Sequence, residues 1–278
     1  MKVFRPAFAI FGMTLLMLAG LMLLPASLAL VGSAPNTGIF LITAIIAASS
    51  GVLLTWTNRH TLQQLNTQKV YLITAVNWIG VTAVAAVPFI FSNMHLSLAD
   101  AVFEAVSGIT TTGSTVITGL DALPADLLLW RSLTQWLGGI GIVAMAVMIL
   151  PFLRVGGMRL FKTESSDMSG KSTPRVKVQI RLLLQVYFML TLMCVLCYWF
   201  FGMNLFDAIN HGMTTVSTGG FSTYDASMGH FDSDAIMWTS TVFMMLGGIP
   251  FTLYVYMLIN QKISFLKDSQ VRVYLQIL

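Results

Sequence analysis

Charge is what this chain has least of. Asp, Glu, Lys and Arg together make up 9% of its 278 residues, against 56% hydrophobic residues. A soluble domain of this length needs a charged surface free of large apolar patches, and this composition cannot supply one. With a mean hydropathy of +0.80, the chain reads as an all-α integral membrane protein. Cysteine is almost absent: Cys194 and Cys197 have CxxC spacing, but no second pair or histidine cluster completes a redox or metal site, so they read as packing residues. His60, His95 and His230 have no partners at metal-ligand spacing. There is no P-loop, no HExxH and no dinucleotide glycine fingerprint, which argues against an enzyme or a resident cofactor. No basic-aromatic groove accompanies the isoelectric point of 9.2, so nucleic acid is not the expected partner.

What is present is apolar length. Segments 7–31, 38–56, 70–92, 125–150, 180–201 and 235–259 each approach or exceed the ~20 residues that a helix needs to cross ~30 Å of hydrocarbon. The start, Met1-Lys2-Val3-Phe4-Arg5-Pro6, resembles the basic region of a signal peptide, but the apolar run reaches Val31, which favours a retained first helix. Two further apolar segments, 98–109 and 205–216, would reach only about 18 Å at 1.5 Å per residue. Non-spanning backbone at membrane depth survives only where protein or a water-filled cavity lines it, so these two are expected to be re-entrant pore helices.

Six spans and two re-entrant loops place the N-terminus, 58–69, 154–181 and the segment from Lys262 onward on one side. That side holds 14 of the 15 basic residues and leaves Arg131 alone elsewhere, so the positive-inside rule makes it cytoplasmic. Of eleven acids, eight fall on the opposite side: Asp100, Glu104, Asp121, Asp126, Asp207, Asp225, Asp232 and Asp234. An acidic outer mouth would concentrate cations. Asp225, Asp232 and Asp234 read more simply as loop-solvating or helix-capping residues. The polar segment 154–177 reads as a cytoplasmic linker. Being basic and exposed, it suits either an acidic or nucleotide-binding partner or lipid headgroups.

The chain also repeats itself. Adding 107 maps Ser97 to Asn204, Asp100 to Asp207, Ser107 to Thr214, Thr111 to Thr218 and Gly113 to Gly220. Both short segments open with a capping signature, Ser97-Leu98-Ala99-Asp100 and Asn204-Leu205-Phe206-Asp207. Each would then run inward, so that its negative C-terminal end points toward a central axis where a cation is stabilised. Thr111-Thr112-Gly113 and Thr218-Gly219-Gly220 follow, and would present backbone carbonyls to a dehydrated ion. Gly113 and Gly220 are expected to take dihedrals closed to other residues. Asp100 and Asp207 are candidate outer-mouth acids. Glu104, opposite His211 in the repeat, either adds negative potential near the mouth or is a hydrogen-bonded carboxylate that steadies the loop. The second spans carry Leu137-Gly138-Gly139-Ile140-Gly141 and Leu246-Gly247-Gly248-Ile249-Pro250. These read as close-packing positions, with a hinge at Pro250 as the alternative.

The run from Phe103 to Thr115, with Ser217-Thr218-Gly219-Gly220-Phe221-Ser222 and Trp136-Leu137-Gly138-Gly139-Ile140-Gly141, resembles the TrkH members of the Trk/Ktr/HKT potassium transporters. The resemblance covers the whole chain. It implies span–pore helix–span repeats preceded by two extra transmembrane helices, in a multi-pass bacterial inner-membrane protein with a cytoplasmic N-terminus. It also implies potassium as the transported ion, a homodimer and a TrkA-like cytoplasmic nucleotide-binding subunit. On this reading Gly113 and Gly220 are filter glycines, with Thr111, Thr112, Thr218 and Gly219 beside them. The expected organisation is 1–67 for the extra helices, 68–153 for the first repeat, 154–177 for the linker and 178–262 for the second repeat. Residues 263–278 would begin a third, since the run from Gln270 to Gln276 echoes that from Gln179 to Gln185. Four repeats surround one pore in that family, so two imply either a fragment or pairing of chains. A non-conducting membrane subunit or docking module is the alternative function.

Overall fold

The computed structural model describes residues 4–61, 67–153, 173–260 and 268–277. Most of the expected linker, 154–172, lies outside the described residues. The described chain is helical, in the expected order. Helices α1 (Arg5–Val31) and α2 (Thr37–Asn58) form an antiparallel hairpin whose backbones meet closely at Gly12 and Gly51. A methyl group built on either glycine would stand 2.8 Å from the other's carbonyl oxygen, so only a missing side chain permits the approach. The first repeating unit follows as α3 (Thr67–Phe91), the short α4 (Leu98–Ile109) and α5 (Ala125–Leu153). The second is α6 (Thr173–Phe200), the short α7 (Leu205–Val216), α8 (Asp234–Gly248) and α9 (Phe251–Asn260), with α10 (Ser269–Ile277) last.

The hairpin packs on α3 and α5, and α4 is held between α3 and α5. Phe40 of α2 meets Trp130 of α5 edge-on at 5.9 Å, and the indole N–H of Trp130 donates to the Ala85 carbonyl of α3 at 3.0 Å. That bond satisfies the one polar atom of a large buried side chain, as an apolar surrounding requires. A second core gathers Tyr187, Tyr198, Val216, Phe243 and Phe251 around α7, and Trp136 of α5 packs against it. Helix α5 therefore belongs to both units, and it also touches α7 directly.

Among the described residues, four helices are long and apolar enough to cross a membrane: Arg5–Val31, Thr37–Asn58, Tyr71–Phe91 and Val178–Phe200. The last span expected from the sequence, 235–259, is corrected by the structure. It is two helices, α8 and α9, bent by 79° at Ile249-Pro250. Proline lacks the N–H that would continue the ladder, and its ring disfavours helical geometry at the preceding residue, so the break falls where the sequence put the hinge alternative. The glycine pairs instead serve packing. A methyl on Gly138 would overlap the Ile109 carbonyl oxygen, and one on Gly247 would stand 2.7 Å from that of Val216. The end of each short helix thus rests on the inner helix of its own unit. These glycines are 109 residues apart, not 107, because the second unit has two more residues between turn and inner helix.

Candidate functional site

The two short helices start and stop 107 residues apart and are built alike. Ser97 and Asn204 hold extended dihedrals (φ −64, ψ 159 and φ −63, ψ 160), and their side-chain oxygens accept from the backbone N–H of Asp100 and Asp207. Each satisfies one of the orphan donors of a helix start. The C-terminal ends match as well. Thr111 N–H donates to Gly108 O at 2.9 Å and Thr112 N–H to Ser107 O at 2.9 Å; Thr218 N–H donates to Thr215 O at 3.0 Å and Gly219 N–H to Thr214 O at 2.9 Å. This pair of bonds is the Schellman stop, which puts one residue in the left-handed region. That residue is usually glycine. Here it is threonine in both units, Thr111 at φ 56 and Thr218 at φ 55.

A β-branched residue at positive φ is a rare outlier that costs on the order of 1–3 kcal/mol and persists only where its surroundings impose it. The sequence offered no sign of it, since propensity alone would place glycine there. The glycines come two residues later, Gly113 at φ 81 and Gly220 at φ 86, in the positive-φ region that side chains disfavour. The two turns also meet each other: a methyl group on Gly113 would overlap the Gly219 carbonyl oxygen.

Behind the turns lies a buried network. Glu104 is fully buried on α4, and its Oε1 accepts from Arg131 Nε of α5 at 2.8 Å. The same carboxylate takes the Thr115 hydroxyl at 3.0 Å and the Val116 N–H at 3.3 Å. Of the two sequence readings for Glu104, the structure supports the carboxylate that steadies the loop. His211, its counterpart in the second unit, works in the same place. Its Nδ1 lies 2.9 Å from the Asp207 carbonyl, which can only accept, so Nδ1 carries the proton and Nε2 takes the Ser222 hydroxyl at 3.0 Å. Ser222 corresponds to Thr115, so each pore helix holds the same position of the chain that leaves its turn. Sequence reading passed over Arg131 as a site residue. Its isolation from the other 14 basic residues was the available signal.

The candidate outer acids divide. Asp100 is partly exposed, and its bonds among the described residues stay within its cap, where the Ser97 hydroxyl donates to it at 2.7 Å. Asp207 is buried and accepts from Thr223 Oγ1 at 2.7 Å, Tyr224 Oη at 2.8 Å and Asn204 Nδ2 at 2.6 Å. The bond to Asp207 pushes the Tyr224 phenol up to about 12, so it remains a donor at neutral pH. Asp207→Ala should cost about 3 kcal/mol, because three donors lose their acceptor at a buried site, whereas Asp100→Ala should cost ~0.5 kcal/mol, since the cap bond is made to its backbone N–H and only a charge in the first turn and an exposed hydroxyl bond are lost. Thermal melting of both variants in detergent checks the ranking, and equal losses would contradict it. Asp225, read from sequence as a solvated or capping residue, is exposed and caps the short turn of helix at Leu120–Ala122, and in doing so ties the units together. It accepts from Gly119 N–H at 2.8 Å and Leu120 N–H at 3.1 Å, while its own N–H donates to Asp121 at 3.2 Å. Cys194 and Cys197 are free thiols, and among the described residues no three metal-ligating side chains gather.

Paired short helices that end at non-spanning turns inside a bundle of long apolar helices define a helical membrane protein of channel-like construction. Over residues 9–277 the chain matches the TrkH family of cation transport proteins, and it belongs to that family. It is 38% identical over 271 residues to the Trk system potassium uptake protein TrkI of Halomonas elongata, covering 96% of this chain and 54% of that protein. To the Trk system potassium uptake protein TrkH of Escherichia coli K12 it is 37% identical over 276 residues, covering 98% and 57%. Its fold is similar to the crystal structure of the potassium transporter TrkH from Vibrio parahaemolyticus, with a TM-score of 0.87 at 35% identity, over 98% of this chain and 56% of that one. The chain thus spans about half the length of the relatives it matches.

Proposed function

We propose that this chain contributes two span–pore helix–span units to a pore that takes potassium across the bacterial inner membrane. The observation that carries the reading is the duplicated turn: Thr111 and Thr218, then Gly113 and Gly220, share their positive φ values at one spacing, directly after two helices whose C-terminal ends face them. Carbonyls of Thr111, Thr112, Gly113, Thr218, Gly219 and Gly220 would replace part of the ion's hydration shell, and the negative helix ends would favour a cation. The names of the relatives, potassium uptake proteins and a potassium transporter, make potassium the ion to test.

Further parts of the proposal follow the family resemblance. They are the division into 1–67, 68–153, 154–177, 178–262 and 263–278, a homodimer, a TrkA-like nucleotide-binding subunit on the cytoplasmic side and a cytoplasmic N-terminus. Asp121 and Asp225 would then face outward, supported by the 14-to-1 bias of basic residues. The test is expression of the complete gene product in bacteria stripped of their other potassium uptake routes. Growth at low external potassium, with Asp232→Cys on the same expected outer side labelled from outside, is the expected result. Membrane insertion without rescue would replace this reading with a non-conducting subunit.

A further inference from the structure

The inner helix of the first unit reaches across to the second unit. One turn apart on α5, Arg131 and Gln135 reach across to consecutive residues of the second turn. Arg131 Nη1 donates to the Ser222 carbonyl at 2.8 Å, and its guanidinium carbon lies 4.3 Å from the centre of the Phe221 ring. Gln135 Oε1 accepts from the Phe221 backbone N–H at 3.0 Å, immediately after Gly220. Both side chains are buried, at 1% and 0% exposure. Arg131 also donates through Nη2 to Thr115 Oγ1 at 3.2 Å. Thr115 and Ser222 are equivalent positions 107 apart, so one guanidinium holds the same point of both units.

The amide of Gln135 stands between the two turns. A methyl group on Gly219 would come 2.8 Å from its Nε2, and one on Gly113 would come 3.6 Å from the same atom. That nitrogen is buried and has no hydrogen-bond partner among the described residues. The amide thus sits between the two glycine backbones while its Oε1 holds the Phe221 N–H, the placement of a spacer. At the inner-helix offset of 109, the second unit has Ser240 and Met244 in place of Arg131 and Gln135. Neither offers a guanidinium fork or an amide.

We infer that Arg131 and Gln135 are positioning residues that set the separation of the two filter segments, and with it the discrimination between cations of different size. The inference rests on the potassium-pore reading. A carbonyl cage discriminates by the number and placement of its oxygens, so a strut that fixes one strand against the next acts on selectivity without touching the ion. The experiment measures the potassium-to-sodium permeability ratio of the complete protein, for wild type, Gln135→Leu and Gln135→Glu at matched membrane levels. Gln135→Leu keeps the volume and loses both bonding atoms; its ratio should fall by about tenfold, the equivalent of one hydrogen bond, while total cation flux persists. Gln135→Glu keeps an acceptor for the Phe221 N–H and should hold more of the ratio than leucine does, a rescue that a merely structural role would not give. If Gln135→Leu does not reach the membrane, Gln135→Met, matched in length and with only a weakly accepting thioether, carries the same test. A selective wild type with an unchanged ratio in the leucine or methionine variant overturns the positioning role alone. A wild type that does not prefer potassium overturns the pore reading and this inference with it.

Discussion

Arg131→Ala is expected to remove most of the folded protein from the membrane. Glu104 is fully buried, and its only ionic partner among the described residues is Arg131 at 2.8 Å. Taking away one member of such a pair strands the other charge without water, at a cost of about 3–5 kcal/mol, which is a large part of the margin of an ordinary domain. Four further contacts go with it: the bonds to Ser222 and Thr115, the stacking on Phe221 and the packing of the side-chain stem. Replacing the pair together, Glu104→Gln with Arg131→Met, removes both charges at similar volume and should recover much of the lost stability. Fluorescence-detected size exclusion and melting of the single and double variants measure this. A single variant as stable as wild type would show that the pair does not hold the turn.

Gly113→Ala is expected to be the most damaging of the glycine substitutions. Two independent costs meet there. The left-handed backbone at φ 81 penalises any Cβ by about 1–2 kcal/mol, and this Cβ would overlap the Gly219 carbonyl oxygen of the facing turn. A backbone atom cannot swing aside as a side chain does, so the two turns must separate. Gly220→Ala at φ 86 meets the first cost, and among the described residues no atom stands within 4 Å of the added methyl. Gly20→Ala, in the middle of α1 with open space around it, should be neutral or slightly stabilising. Potassium uptake of the complete protein should therefore rank Gly20→Ala above Gly220→Ala above Gly113→Ala. Equal uptake at all three would remove the argument from the turns.

What the sequence revealed and what it hid have physical causes. The limits of α4 and α7 were legible because each is set locally: an N-cap side chain at Ser97 or Asn204, an apolar run too short to span, and a stop before a glycine. Recurrence at one offset then made two weak signals a strong one. The break at Pro250 was legible as a possibility, since proline acts through its own ring. Its 79° angle was not, because it depends on how α9 packs against α6. Thr111 and Thr218 were misleading, since local preference argues against threonine at positive φ and only the packing of the whole turn imposes it. Least legible were the contacts of Arg131 with Ser222 and of Gln135 with Phe221, which join residues 91 and 86 positions apart. No periodicity encodes such pairs. A lone arginine in an apolar span signalled that some partner must exist, and the fold identified it as Glu104.

The central claim is that the duplicated turns form a potassium filter, and Gly220 tests it most directly. Its substitution strains the backbone at φ 86, and among the described residues no atom stands within 4 Å of the added methyl, so strain rather than overlap is the effect under test. The measurement is the potassium-to-sodium permeability ratio, from reversal potentials or paired ion fluxes, of the complete protein reconstituted in vesicles as wild type, Gly20→Ala and Gly220→Ala. The account predicts one high ratio shared by wild type and Gly20→Ala, and a ratio about tenfold lower in Gly220→Ala, since ~1.4 kcal/mol of strain shifts a conformational equilibrium by that factor. An unchanged ratio in well-folded Gly220→Ala would contradict it.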